Sequence, residues 1–217
     1  MTFQSRHRPR AIGDLVFADP LIAALVQRYA TQRPSKPLLL YGPPGGGKSE
    51  ALRLIARTQF ALASIECEDF VINGGLGYRD LFTTMLNMAQ MQFWPSSTPA
   101  IIVIDEIDEI EEKHPGKLRS FVENHPSVQI LASTNYFNRI SPALKSRMRC
   151  EQVLPPAASR WTARAQAILA AEGAIVDVAT VRSLMQNFSG DARDFIDYLE
   201  ELVISGRANV TPTATTP

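Results

Sequence analysis

Three stretches of the chain combine residue types whose spacing can do chemistry. The first is GPPGGGKS, Gly42 to Ser49, which fits G-x-x-x-x-G-K-[ST] in full. Gly45, Gly46 and Gly47 lack a Cβ, so their backbone N–H groups can close around a phosphate. A helix opening behind them would turn its positive end toward the same anion. Lys48 would then reach the β- and γ-phosphates of ATP, and the Ser49 hydroxyl would ligate Mg2+. Gly42, Pro43, Pro44 and Glu50 complete the expected nucleotide contact. The second stretch is IIVIDEID, 101–108, an apolar strand that delivers Asp105 to its C-terminal end beside the glycine loop. A carboxylate there can hold Mg2+, and Glu106 is placed to polarise the attacking water. Asp108, Glu109, Glu111 and Glu112 read as solvated surface. The third stretch is SPALKSRMRC, Ser141 to Cys150, with Lys145, Arg147 and Arg149 close together and no Asp or Glu from Asn124 to Cys150. The expectation is a set of cations that nothing nearby neutralises.

These residues need a scaffold, and apolar runs alternating with helical spacing supply one. Strands are predicted at 37–41, 70–73, 101–105, 128–133 and 150–154, and helices over 48–62, 78–93 and 116–125. Such alternation predicts an α/β unit, a five-stranded parallel sheet flanked by helices, over residues 1–155. The prolines of LPPAAS (154–159) mark a change, after which only helices are predicted, near 159–172, 177–188 and 191–205. This makes a small all-helical unit, 156–208, followed by a polar, disordered tail, 209–217.

Composition narrows the function classes. The 217 residues are 45% hydrophobic and 20% charged, with 22 basic and 22 acidic side chains. Binding to nucleic acid therefore depends on local patches rather than on net charge. Cys67 and Cys150 lack metal-ligand spacing and read as buried reduced thiols, which suits a cytoplasmic protein. No apolar run approaches the length of a membrane span, and the first residues do not read as a signal peptide.

In this order, GPPGGGKS, VIDEID, LASTN and SGDAR resemble the motifs of AAA+ ATPases, P-loop NTPases. More narrowly the chain resembles the clamp-loader group: replication factor C small subunits and the bacterial gamma and delta-prime subunits. The resemblance implies ATP hydrolysis with Mg2+ and makes the helical unit a lid. It places Val16 and Phe17, in RHRPRAIGDLVFADP, against the base, and makes Asn135 and Arg193 the two sensors of the γ-phosphate. Read as residues alone, Asn135 could instead cap a helix and Arg193 could pair with Asp197 at i+4. The resemblance also makes Arg147, with Arg149 as alternative, an arginine finger serving ATP on a neighbouring subunit. It therefore implies a homo- or hetero-oligomer, ring or spiral, with DNA, a clamp or a replication factor as partner and no membrane. Arg6, Arg8, Arg10 and Arg79 are the basic residues available for DNA. Three functions are open: a clamp-loader-like factor, including an accessory ATPase of a phage or mobile element; a protein remodeller gripping substrate through Tyr78; and a non-hydrolysing structural subunit. The collar helices of the clamp-loader group lie beyond the resemblance, so ATP hydrolysis is the more direct expectation than clamp loading.

Overall fold

Leu38, Leu39 and Leu40 are all fully buried, which a strand achieves only when both faces of its sheet are covered. A computed structural model of the chain describes residues 2–62, 71–73, 78–90, 100–174, 176–188 and 191–205. In it five strands form one sheet: β1 (Leu38–Tyr41), β2 (Val71–Asn73), β3 (Ile101–Asp105), β4 (Gln129–Thr134) and β5 (Arg149–Gln152). Their order is β2-β3-β4-β1-β5, and every pairing is parallel. Successive side chains point to opposite faces. Leu38, Leu40, Ile101 and Val103 pack under α2 (Pro20–Gln32) and α3 (Lys48–Leu62). Leu39, Ile102, Ile104 and Ala132 pack on the other face, with Met85 of α4 (Tyr78–Gln90), α5 (Ile107–Lys113), α6 (Lys117–Asn124) and α7 (Pro142–Lys145).

Sequence reasoning placed no helix at α2, although the signals are present. Asp19 accepts from the Leu21 N–H at 2.8 Å as N-cap, Pro20 opens the helix, and Ile22, Leu25, Val26, Tyr29 and Ala30 share the buried face. The acidic run after β3 is also a helix, α5, and its inner face is not solvated. Asp108 and Glu111, three residues apart, are both buried, which corrects their reading as plain surface. Asp108 accepts from Thr134 Oγ1 at 2.6 Å, whereas both Glu111 oxygens lack a hydrogen-bond partner.

A third core lies outside the sheet. It is built from Trp161 and from α8 (Thr162–Ala171), α9 (Val178–Leu184) and α10 (Ala192–Ile204), with Ile168, Val181, Phe195 and Leu199 inside. Phe3 of α1 (Phe3–His7) is buried in the same core, and Val16 packs against it. The first residues thus pack with the C-terminal helices, not only with the α/β unit in which a 1–155 boundary put them. His7 Nε2 lies 2.6 Å from Glu172 Oε1, and Arg6 pairs with Glu172 at 3.0 Å. Arg164 donates to the His7 carbonyl at 2.9 Å and to Asp14 at 3.2 Å. One residue on from His7, Arg8 pairs with Glu50 of α3 at 2.9 Å, so the segment straps the helical core to the sheet. Arg6 and Arg8, two of the arginines expected to be available for DNA, are engaged in these ties.

Candidate functional site

The parallel register sets the floor of a cleft. Leu40 is level with Ser133 and Tyr41 with Thr134, while Ile104 is level with Ala132. Asp105 at the end of β3 therefore stands beside Ser133. Both the Ser133 hydroxyl and the Ser49 hydroxyl donate to Asp105 Oδ1, the latter at 2.8 Å. The glycine loop runs from the end of β1 into the 15-residue helix α3, as its spacing predicts. Gly47 turns the chain at φ +80°, a conformation that costs a side-chain-bearing residue about 1 kcal/mol. Lys48 is buried, and its Nζ donates to the carbonyls of Gly42 and Pro43 at 2.9 and 2.7 Å. Burial holds the Lys48 ammonium below its usual pKa. Asp105 opposes that shift, Arg193 adds to it, and Asp191 opposes it.

Pro44, Gly45, Gly46, Gly47, Lys48, Ser49 and Glu50 line a cleft of about 930 Å³ together with Asp105, Glu106, Asn135, Arg193, Val16 and Phe17. The structure thus brings together nearly every residue expected to meet the nucleotide. Gly42 and Pro43 contribute through their carbonyls to Lys48 rather than as cleft wall. Glu106 is exposed, in the left-handed conformation at φ 56° and ψ 49°, strain of a kind that gathers at functional sites. Asn135 follows β4 directly and caps nothing: Tyr136 is the N-cap of the next turn, with no side-chain cap. Arg193 does not pair with Asp197, whose carboxylate takes Gln4 Nε2 at 2.6 Å. Phe17 is at once a core side chain and a cleft wall.

The basic stretch is corrected. Arg147 Nε donates to Glu123 at 2.7 Å and Nη1 to the Ala143 carbonyl at 2.6 Å. Arg149 Nε pairs with Glu151 at 2.9 Å, and Lys145 Nζ lies 4.2 Å from the centre of the Phe137 ring. The acid-free window from 124 to 150 is flanked by Glu123, which pairs with Arg147, and by Glu151, which pairs with Arg149. Neither Arg147 nor Arg149 lines the cleft. Cys150 is half-buried rather than buried, with burial raising its thiol pKa, while Cys67 lies outside the described residues. The loop at 74–77 also lies outside them, as do the side chains of Tyr78 and Arg79 and the tail.

Sequence reasoning missed three residues that line the cleft, Ser133, Trp161 and Arg53, and a fourth, Asp191, that packs on Gly45 beside it. Ser133 lies within the LASTN motif, two residues before Asn135. Asp191 lies within SGDAR, two before Arg193. Trp161 and Arg53 line the wall, and Trp161 Nε1 and Arg53 Nε are buried without an acceptor. Unmet buried donors are costly, on the order of 1–3 kcal/mol each, and mark a wall that suits a ligand rich in acceptors. A triphosphate fits this cleft: the glycine loop, a helix N-terminus and a buried lysine converge. Mg2+ fits Ser49 and Asp105, which are hard oxygen donors already 2.8 Å apart.

Fold and site together define a glycine-loop protein of the nucleotide-binding class, with a parallel sheet and an appended helical core. The chain belongs to the ATPase family associated with various cellular activities (AAA), which matches residues 38–156. It is similar to replication factor C subunit 3 of Oryza sativa subsp. japonica, 26% identical over 200 residues that cover 90% of this chain and 55% of the relative. It is also 26% identical to the replication factor C large subunit of Archaeoglobus fulgidus, over 98% of this chain and 46% of that one. The chain thus spans about half the length of these relatives. Among solved structures, domain III of the Thermotoga maritima replication initiation protein DnaA shares the fold. Its TM-score is 0.67 at 16% identity, covering 91% of this chain and 88% of that one. The expected likeness to AAA+ ATPases of clamp-loader type is borne out. No helix among the described residues is long and apolar enough to cross a membrane.

Proposed function

We propose that the chain binds and hydrolyses ATP with Mg2+, as one subunit of a homo- or hetero-oligomer acting in DNA replication or DNA remodelling. The observation that supports this is the convergence of the glycine loop, Asp105, Glu106, Asn135 and Arg193 on one cleft. In this reading the loop amides and Lys48 hold the phosphates, and Ser49 and Asp105 hold the metal. Mg2+, when bound, neutralises charge that develops on the phosphate oxygens. Glu106 orients water and accepts its proton, and Asn135 holds the same water or the γ-phosphate. Val16, Phe17 and Trp161 form the base end. The helices α8 to α10 with α1 serve as a lid, which Arg193 ties to the nucleotide. Arg147 leaves Glu123 to reach the phosphates held by a neighbouring subunit. Replication is the favoured setting because the relatives are replication factor C subunits.

Equilibrium binding and phosphate release test the core of this reading. Lys48→Ala is expected to weaken ATP binding at least about a hundredfold, given that it removes the buried cation of the loop. Glu106→Gln is expected to bind ATP normally and to lose roughly 10²- to 10⁴-fold in turnover. Undiminished hydrolysis by Glu106→Gln refutes the role given to Glu106. Stimulation of turnover by primed or duplex DNA, and not by an unfolded protein, separates the DNA factor from a protein remodeller.

A further inference from the structure

An anion of the chain's own packs against the glycine loop at Gly45. Asp191, the N-cap of α10, accepts from the Arg193 N–H at 2.8 Å, and the next residue, Ala192, donates its N–H to the Gly45 carbonyl at 3.1 Å. This docks the first turn of α10 directly on the loop. The contact is close enough to explain why residue 45 has no side chain. A Cβ there would stand 2.3 Å from Asp191 Cγ and 2.4 and 2.6 Å from its two oxygens. Among the described residues no cation lies within ion-pair distance of Asp191. Its negative charge is felt by the Lys48 ammonium behind the loop.

We propose that Asp191 is an internal anion that competes with nucleotide phosphates for the glycine loop, so that nucleotide binding releases the first turn of α10 from Gly45. The inference rests on the nucleotide reading of the cleft. A carboxylate packed on Gly45 puts negative charge beside the place where phosphates arrive, and in a half-enclosed cleft such repulsion is poorly screened. Moving Asp191 away moves Arg193 with it, since both belong to the same turn. The two residues therefore form a charge pair in sequence, one repelled by the ligand and one attracted. Binding turns the end of α10 instead of merely filling a gap, and Arg193 replaces Asp191 at the loop.

Asp191→Asn isolates the charge, because Asn caps a helix about as well as Asp and has nearly the same shape. The expected result in the 217-residue chain is about tenfold tighter equilibrium binding of ATP and of ADP, a gap that narrows at high salt. Asp191→Ser keeps a capping oxygen without the charge and is expected to follow Asn, which guards against a folding artefact in either variant. Hydrogen exchange at the Ala192 amide is expected to quicken when ATP binds the wild-type chain. Unchanged or weaker binding by both variants, or an Ala192 amide equally protected with and without ATP, overturns the proposal while leaving the site intact. Failure of the wild-type chain to bind ATP at all removes the nucleotide reading, and this inference with it.

Discussion

The floor and the roof of the cleft are held by different forces. On the floor, the residues at the ends of β1, β3 and β4 are set by parallel pairing among adjacent, fully buried strands. Ser49, Asp105 and Ser133 meet there through hydroxyl-to-carboxylate hydrogen bonds. The roof has a core of its own around Trp161, Phe195 and Leu199 and joins the floor mostly through polar ties: Arg8 to Glu50, Arg164 to Asp14, and Ala192 to Gly45. Polar ties at a partly solvated edge are individually weak, whereas a buried strand ladder yields only with the whole fold. On the proposed function, chemistry falls to the floor and response to the roof.

The largest effect is expected from a residue that belongs to neither. If the floor is complete except for a cation supplied by a neighbour, Arg147→Ala lowers turnover roughly 10³-fold or more while leaving ATP binding by its own cleft intact. Mixing Arg147→Ala chains with Lys48→Ala chains is expected to restore part of the activity, since some interfaces then pair an intact cleft with an intact arginine. Absence of recovery at every ratio ends the trans assignment.

Next in size is Phe3→Ala, which tests whether the roof is a separate unit. Removing a buried aromatic costs about 3–5 kcal/mol. The expected loss falls on amides of α8, α9 and α10, read by hydrogen exchange, with those of β1, β3 and β4 little changed. Equal quickening in both regions would make floor and roof one cooperative body and dissolve the comparison.

The same division marks what was legible in the sequence. The floor was readable because its signals are local and mutually confirming: a strand, a glycine loop and a helix in one 25-residue span, then an apolar strand ending in Asp105. The ties were not, because they join residues far apart: Arg6 and His7 reach Glu172, and Arg8 reaches Glu50. Local windows also mislead by their edges. Glu123 and Glu151 stand one residue outside the stretch that looked free of acids, and each neutralises an arginine inside it. Asp108 and Glu111 looked solvated because α5 shows its other side to water. Their three-residue spacing is the helical clue that they share a buried face.

A smaller effect tests the floor itself. Ser133→Ala removes one of two hydroxyls that orient Asp105 and leaves Ser49 in place. A hydrogen bond to a charged group contributes on the order of 1.5 kcal/mol, so Mg2+-dependent ATP affinity is expected to fall about tenfold, with Mg2+-independent binding unchanged. An equal loss with and without Mg2+ would mean that Ser133 acts on the loop rather than on the metal carboxylate.

The smallest effect should appear in the roof, as a pH dependence. The hydrogen bond from His7 holds the Glu172 carboxyl below its ordinary pKa, and Arg6 reinforces the shift. Burial works to raise the pKa of Asp14, but the N–H groups of Arg10 and Ala11 and the charge of Arg164 outweigh it, and the net shift is downward. Both carboxyls are thus stronger acids in the folded chain than in the unfolded one. As pH falls through the ordinary carboxylate range, near pH ~4, the unfolded chain takes up protons that the folded chain resists. Stability from these ties is therefore complete above that range and is lost as pH drops through the lowered values. Their exposure keeps the contribution modest. Urea melts of the wild-type chain and Glu172→Gln at pH 7, 5, 4 and 3 measure it, with the two stabilities expected to converge on the acid side. Parallel loss across the series would mean that the roof is held by its apolar contacts through Phe3 and Val16, and the polar strap would then be decoration on a hydrophobic joint.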